Sequence, residues 1–250
     1  MAAVARELKA NHHMKRGVSV LAAHITGGQS VSYACHVHKG STYWFVVGGD
    51  DHGQGLEATV TDEEGGKLSG PVTADDRDKG FVAKYVCPLD GTVRFRATDD
   101  QKEAATAVCA ILTDGEGGEI GEEQWGAVFE WAELDKESEE DSGLEYVGGG
   151  WFFYGGLLNV GESFSTKVAV DAKPLTFRGI FDDESDEIKL ELKDEEGKVL
   201  QSSESSVEGE DFLAAQFDWT FSSRQQPFVT LQNLKGKDSF AGVMILQETD

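Results

Sequence analysis

Apolar residues in this chain recur at every second position in short runs, and the runs are broken by Gly, Asp and Asn. Successive side chains of a β-strand point to opposite faces, so this is the pattern of half-buried strands and not the three-to-four spacing of amphipathic helices. In the first half the runs are Val18–Ile25, Val31–Val37, Tyr43–Val47, Leu56–Thr61, a short run near Leu68, Phe81–Cys87, Val93–Ala97 and Ala107–Leu112. In the second half they are Trp151–Leu158, Ser163–Val170, Leu175–Phe181, Ile188–Lys193, Val199–Ser203, Phe212–Phe217, Phe228–Gln232 and Phe240–Leu246. No long helical period separates the strands, which excludes parallel βαβ units. The expected class is all-β, with antiparallel sandwiches of jelly-roll type.

The pattern is written twice. TVTDEEGGKL at Thr59–Leu68 is answered by ELKDEEGKVL at Glu191–Leu200. Upstream, GGQSVSYACHVHKGSTYWFV from Gly27 aligns with VGESFSTKVAVDAKPLTFRG from Val160, placing Ser163 opposite Ser30 and Phe177 opposite Trp44. Downstream, GFVAKYVC from Gly80 meets DFLAAQFDW from Asp211, and both copies end in an apolar run. Self-similarity of this length predicts a duplicated domain. The expected organisation is a lead-in segment over 1–16, a sandwich over 17–114, an acidic linker over 115–149 and a second sandwich over 150–250. Both DEEG sequences sit between alternating runs, where Gly supplies a positive φ, so they are predicted hairpin tips and not cation grips.

The linker, GEGGEIGEEQWGAVFEWAELDKESEEDSG, contains Trp125, Val128, Phe129 and Ala132 at the spacing of a short amphipathic helix. That face is expected to dock onto a sandwich; recognition of a partner is the sharper alternative. AVARELKA near the start reads as a similar lead-in helix.

Composition narrows the partners. Hydrophobic residues at 39% and aromatics at 10% suffice for packed cores. The formal charge of -24, from 46 Asp+Glu against 22 Lys+Arg, repels phosphate backbones and anionic headgroups, so nucleic acid and membrane surfaces are poor partners. No run reaches the roughly 20 apolar residues of a bilayer span, and MAAVARELKANHHMKRG lacks an apolar signal core, so export implies a signal already removed. The three cysteines are too few for a disulfide framework. The repeat places Cys35 opposite Val168, Cys109 opposite Met244 and Cys87 opposite Trp219, so all three occupy apolar slots. Buried thiols are expected, with one bridge as the rival.

Candidate chemistry is sparse. His36 and His38 stand two apart on a predicted strand and project from one face, the spacing at which imidazoles share a metal. His24 lies on the neighbouring run and His52 in a loop, but the second copy has Ala169, Asp171 and Leu157 opposite His36, His38 and His24. An exposed face is therefore expected. In FDDESDE, Asp182, Asp183, Asp186 and Glu187 crowd a loop with Glu184, and hard oxygen ligands of this kind suit Ca²⁺; a solvated loop is the competing reading. The equivalent loop GGDDHGQG keeps Asp50 and Asp51. GxSxG, HExxH and P-loop patterns are missing. Glycines at 148–150, 155 and 156 flank WFFY, read as a strand with a flexible join. Core packing of Trp151, Phe153 and Tyr154 is expected over a ligand platform.

Each copy resembles the bacterial pre-peptidase C-terminal domain, a small jelly-roll sandwich, through HKGSTYWFVV, GGDDHGQGLEATV, TDEEGGKL and LDGTVRFRA in the first copy and FDDESDEIKLEL and KDEEGKVL in the second. The second copy has SSRQQPFVTL where the late Gly-Thr motif belongs. The resemblance implies a non-catalytic module of secreted or periplasmic proteins, often found beside proteases. Relatives such as clostridial collagen-binding domains hold Ca²⁺ near the start of the sandwich, but Leu8–Arg16 here lacks the carboxylates. The resulting expectation is an exported, non-enzymatic binding or adhesion module for protein or glycan, stabilised by calcium at the Asp182–Glu187 loop. The alternatives are an assembly protein that self-associates through its linker, and a metal-dependent enzyme using His36 and His38.

Overall fold

The computed structural model describes residues 13–25, 27–49, 56–68, 72–77, 80–99, 105–115, 117–118, 143–182, 185–208, 211–213 and 215–248. Every element among them is a β-strand. The chain divides into two compact units, the first built mainly on Ser19–Glu119 and the second mainly on Phe152–Asp250. The helices expected at Trp125–Ala132 and near the start lie outside the described residues.

The first unit contains β1 (His13–Lys15), β2 (Val20–Ile25), β3 (Ser30–Val37), β4 (Thr42–Gly49), β5 (Leu56–Asp62), β6 (Val72–Arg77), β7 (Gly80–Val86), β8 (Gly91–Asp99), β9 (Ala105–Thr113) and β10 (Gly117–Gly118). Its larger sheet runs β2-β9-β4-β7-β6, with β1 bridging β9 and β10, and its smaller sheet runs β3-β8-β5. The second unit contains β11 (Leu144–Tyr146), β12 (Trp151–Leu158), β13 (Ser163–Lys167), β14 (Pro174–Phe181), β15 (Ser185–Lys193), β16 (Val199–Glu204), β17 (Ser206–Glu208), β18 (Asp211–Leu213), β19 (Gln216–Thr220), β20 (Phe228–Gly236) and β21 (Ser239–Glu248). Here β19-β14-β21-β12 form one sheet, with β11 also on β21, and β13-β20-β15-β16 form the other.

The two units use the same antiparallel ladders. β3–β8, β5–β8, β4–β7, β4–β9 and β2–β9 in the first correspond to β13–β20, β15–β20, β14–β19, β14–β21 and β12–β21 in the second. Two sheets close each core. Phe45 on β4 stacks on Phe95 on β8 at 5.7 Å. In the second unit, a Cβ at Gly179 on β14 would touch Ile188 and Leu231 of the opposite sheet. Removing a ring such as Phe45 or Phe95 from water contributes about 1.5–3 kcal/mol.

The sheets differ in what they show to solvent. β4 in the larger sheet of the first unit and β12 and β21 in the second are buried along almost their whole length. Unbroken apolar runs such as TYWFVV are the sequence cause, since both faces of such a strand must be covered. β3, β13 and β15 instead alternate buried and accessible positions. The smaller sheet of the first unit and the β13-β20-β15-β16 sheet of the second therefore each present one polar side-chain face outward.

Pairing corrects the residue-by-residue alignment. Phe45 pairs with Ile111, and Phe177 pairs with Ile245, so Phe177 corresponds to Phe45 and not to Trp44. Trp44 faces the other way, with Lys84 Nζ over its ring. Counting back along β9 and β21, Cys109 matches Val243 and not Met244. The Cys87 N–H donates to the Ser41 carbonyl as the Phe221 N–H donates to that of Lys173, so Cys87 matches Phe221 and not Trp219. The β3–β4 and β13–β14 connections differ by one residue, and one residue reverses the face of everything after it.

Some elements also differ from the expected runs. Leu68 itself is not in a strand, and β6 forms at Val72–Arg77, whose sequence, VTADDR, lacks apolar alternation. The run Phe212–Phe217 is divided between β18 and β19. Both DEEG sequences form the same Gly-ended turn: the Asp62 and Asp194 carboxylates accept the N–H of Gly66 and Lys198, and Gly65 and Gly197 have φ of 86° and 85°. Only the second is a hairpin tip, joining β15 to β16; β5 pairs with β8 and β6 with β7, so the first turn joins strands of different sheets.

Candidate binding face

The outward face of β3-β8-β5 is set by the same alternation that builds the core. Val93, Phe95 and Ala97 on β8 are buried, so Arg94 and Arg96 between them project to solvent. Register places Ala34 and Thr61 on either side of Arg94, and Ser32 and Thr59 on either side of Arg96. These small neighbours leave both guanidinium groups uncovered. Among the described residues neither guanidinium has an ion pair or a hydrogen-bond acceptor. The Thr61 hydroxyl donates to the Asp62 carbonyl at 3.0 Å, which fixes that rim of the face. Behind the strip, Val31, Cys35 and Ala58 are buried and hold the three strands rigidly.

The corresponding face of the second unit is internally satisfied. Arg94 and Arg96 are replaced there by Phe228 and Thr230. Lys167 Nζ lies over the Phe228 ring at 5.1 Å, and the Thr230 and Ser165 hydroxyls bond at 2.9 Å. Alongside, Lys189 pairs with Glu191 and Glu204, and Lys193 pairs with Glu191 at 2.8 Å. Lys193 beside Glu191 holds that carboxyl below its usual range, and Glu191 pushes the Lys189 ammonium up. The arginine strip was not singled out from sequence, although VRFRA carries the signal: alternation about a buried Phe puts both arginines on one outer face.

At one end of the strip, His36 pairs in register with Thr92, and its ring meets that of His38 edge-on at 4.9 Å. His38 Nδ1 lies 3.6 Å from the Asp90 carboxylate, and the Lys39 N–H donates to the same oxygen at 2.9 Å. That backbone N–H holds Asp90 below the usual carboxylate range, with His38 acting in the same direction. The corner is fixed by the His38 N–H, which donates to the Tyr43 hydroxyl at 2.9 Å. His24 is elsewhere, on β2 of the larger sheet, with Nδ1 3.0 Å from the Thr106 hydroxyl. His52, Asp50 and Asp51 lie outside the described residues.

The described carboxylates of the Asp182–Glu187 loop are divided between the interior and the surface. Asp182 is only 1% exposed, and its carboxylate accepts the Phe240 N–H at 2.8 Å. Asp186 is exposed and Glu187 half-buried on β15, while Asp183 and Glu184 lie outside the described residues. Among the described residues no three His, Cys, Asp or Glu side chains are placed to hold one metal ion.

Cys35, Cys87 and Cys109 are free and buried. Burial pushes the Cys35 thiol up to about 11 and raises that of Cys109 as well, which removes the thiolate that nucleophilic chemistry requires. Trp151, Phe153 and Tyr154 are also buried, so the aromatic run presents no open platform.

No family model and no curated protein matches the chain. Solved structures similar to it include the tandem CBM22 domains of Xyn10C from Paenibacillus barcinonensis, at 12% identity over 94% of this chain and 96% of that one, with a TM-score of 0.26. The propeptide form of the Bacillus licheniformis lipase BlEst2 is similar at 12% identity over 84% of this chain and 43% of that one, with a TM-score of 0.26. An IolB-like protein from Salmonella typhimurium is similar at 11% identity over 92% and 83%, with a TM-score of 0.21. Likenesses this loose carry no conclusion about the function of this chain.

Proposed function

We propose that this chain is a non-catalytic binding module that seats its ligand on the solvent face of β3-β8-β5. The observation that carries the reading is the exposed pair Arg94 and Arg96, whose guanidinium groups have no partner among the described residues, standing where the second unit has a self-satisfied surface. A ladder backed by the buried Val93, Phe95 and Ala97 fixes the backbone positions from which both arginines project, while their uncovered guanidinium groups are ordered only on binding. The resemblance to the pre-peptidase C-terminal domain, and export with it, belongs to the same proposal; the matching turns at Asp62 and Asp194 support it.

Calcium is no part of the function proposed, because Asp182 is inside the fold and already engaged by Phe240. A rise in melting temperature on adding Ca²⁺ to chelator-treated protein would restore it.

The test is a steric block. Ala34→Trp places an indole over the strip from an exposed position. With wild-type protein screened against soluble polysaccharides and extracellular-matrix proteins by biolayer interferometry, binding is expected and the variant should lose it at an unchanged melting temperature. Binding that survives the block, or turnover of any bound ligand, overturns the reading.

A further inference from the structure

Resting on that reading, we propose that the ligand of this face is an acidic polysaccharide, with sugar carboxylates held by Arg94 and Arg96. Residues two apart on one strand project from the same face about 7 Å apart, so two guanidinium forks stand in line along β8. Each fork takes a carboxylate through two parallel hydrogen bonds. Ser32 and Thr59 flank Arg96 and Thr61 flanks Arg94, adding hydroxyls suited to neighbouring sugar hydroxyls.

The other side chains on the face decide between ligand classes. Outward positions on β3 are Ser32, Ala34 and His36, those on β8 are Thr92, Arg94, Arg96 and Thr98, and those on β5 are Glu57, Thr59 and Thr61. None is a Trp, Tyr or Phe, so a neutral sugar finds no ring to stack on. None is a large aliphatic residue either, so a protein partner finds no apolar centre of the kind that specific interfaces carry. A polynucleotide draws most of its affinity from many phosphate contacts, more than two arginines supply; the net charge of -24 opposes either polyanion and does not choose between them. At physiological salt the Debye length is about 8 Å, so the strip acts locally despite that charge. Glu57, opposite Thr98, closes one end of the strip to anions.

The experiment is affinity electrophoresis and calorimetry of the full chain with polygalacturonate, its fully methyl-esterified form, a neutral β-glucan and duplex DNA, all with EDTA present. Wild-type protein is expected to bind polygalacturonate and not the ester. Arg94→Gln and Arg96→Gln are each expected to weaken binding about tenfold, the worth of one charge-assisted contact. Arg94→Lys, which keeps the charge but loses the fork, should fall between Arg94→Gln and wild type, and Lys189→Gln in the second unit should change nothing. All four substitutions lie outside the core, so unchanged melting temperatures verify folding. Equal binding of the ester or of DNA, or indifference to both glutamine variants, overturns the inference. Binding of the β-glucan alone, lost in Ala34→Trp, overturns the inference and leaves the binding-module reading standing; no binding of any probe in this or the wider screen overturns both.

Discussion

The Asp182 carboxylate accepts the Phe240 N–H at 2.8 Å, while the Asp182 N–H donates to the Phe240 carbonyl at 3.0 Å. One residue thus satisfies both main-chain groups of Phe240, at a point where side chain and backbone are closed to water. Asp182→Ala strands the Phe240 N–H without an acceptor, and a buried unsatisfied donor costs about 1–3 kcal/mol. The variant should show that loss in urea unfolding. Asp182→Asn keeps an amide oxygen in reach and should lose less. Equal stability of Asp182→Ala and wild type would show that the carboxylate has no structural part.

The two DEEG turns permit a matched pair of measurements. Gly65 and Gly197 hold φ of 86° and 85°, and a Cβ at either would meet nothing within 4 Å. The cost of Gly→Ala is therefore conformational alone, about 1–2 kcal/mol. Gly65→Ala and Gly197→Ala should destabilise their own units by similar amounts, read as shifts in the urea midpoint. A large difference between them would mean that the turns are not equivalent.

Gly242 is constrained for the opposite reason. Its backbone is ordinary, but a Cβ there would lie 2.4 Å from the Phe153 ring and 3.2 Å from the Tyr154 carbonyl. The ring is buried and has little room to retreat. Gly242→Ala should cost about 1–3 kcal/mol, the usual range for overpacking, and Phe153→Leu in the same chain should recover part of it. Thermal unfolding of the single and double variants checks both statements.

Glycine also marks where sequence reading stops. Gly155 falls inside the expected run Trp151–Leu158 and inside β12, but the reason for a glycine there is visible only in the structure: a Cβ would strike the Phe153 and Phe240 rings. That role depends on a partner strand distant in the chain, so no local pattern reveals it. Local physics makes other features legible: the period-two runs, the Gly-ended turns at Asp62 and Asp194, and the apolar positions of all three cysteines; that the first turn joins two sheets and is no hairpin is not among them. Faces are legible only up to the first turn of unequal length, which is why sequence alignment sets Cys109 opposite Met244 while pairing sets it opposite Val243. In sequence VRFRA serves equally as a strand motif, so the meaning of Arg94 and Arg96 emerges only beside the neutralised surface of the second unit.

The buried thiols tie stability to alkaline pH. Burial moves Cys35 from 9.0 to about 11, against a smaller opposing pull from Lys15. The folded chain therefore keeps a proton that the unfolded chain releases above about pH 9, so this contribution is complete below that pH and is lost as the pH climbs toward 11. The loss amounts to about 2–3 kcal/mol for Cys35, and Cys109, raised by burial too, acts in the same sense. Urea midpoints should accordingly fall between pH 9 and 11. Cys35→Val, which installs the residue found at the equivalent Val168, should flatten that fall while preserving stability at pH 7. A thiol reagent at pH 8 should leave the native protein untouched and label all three cysteines once it is unfolded; rapid labelling of the native chain would contradict the burial on which the pH dependence rests.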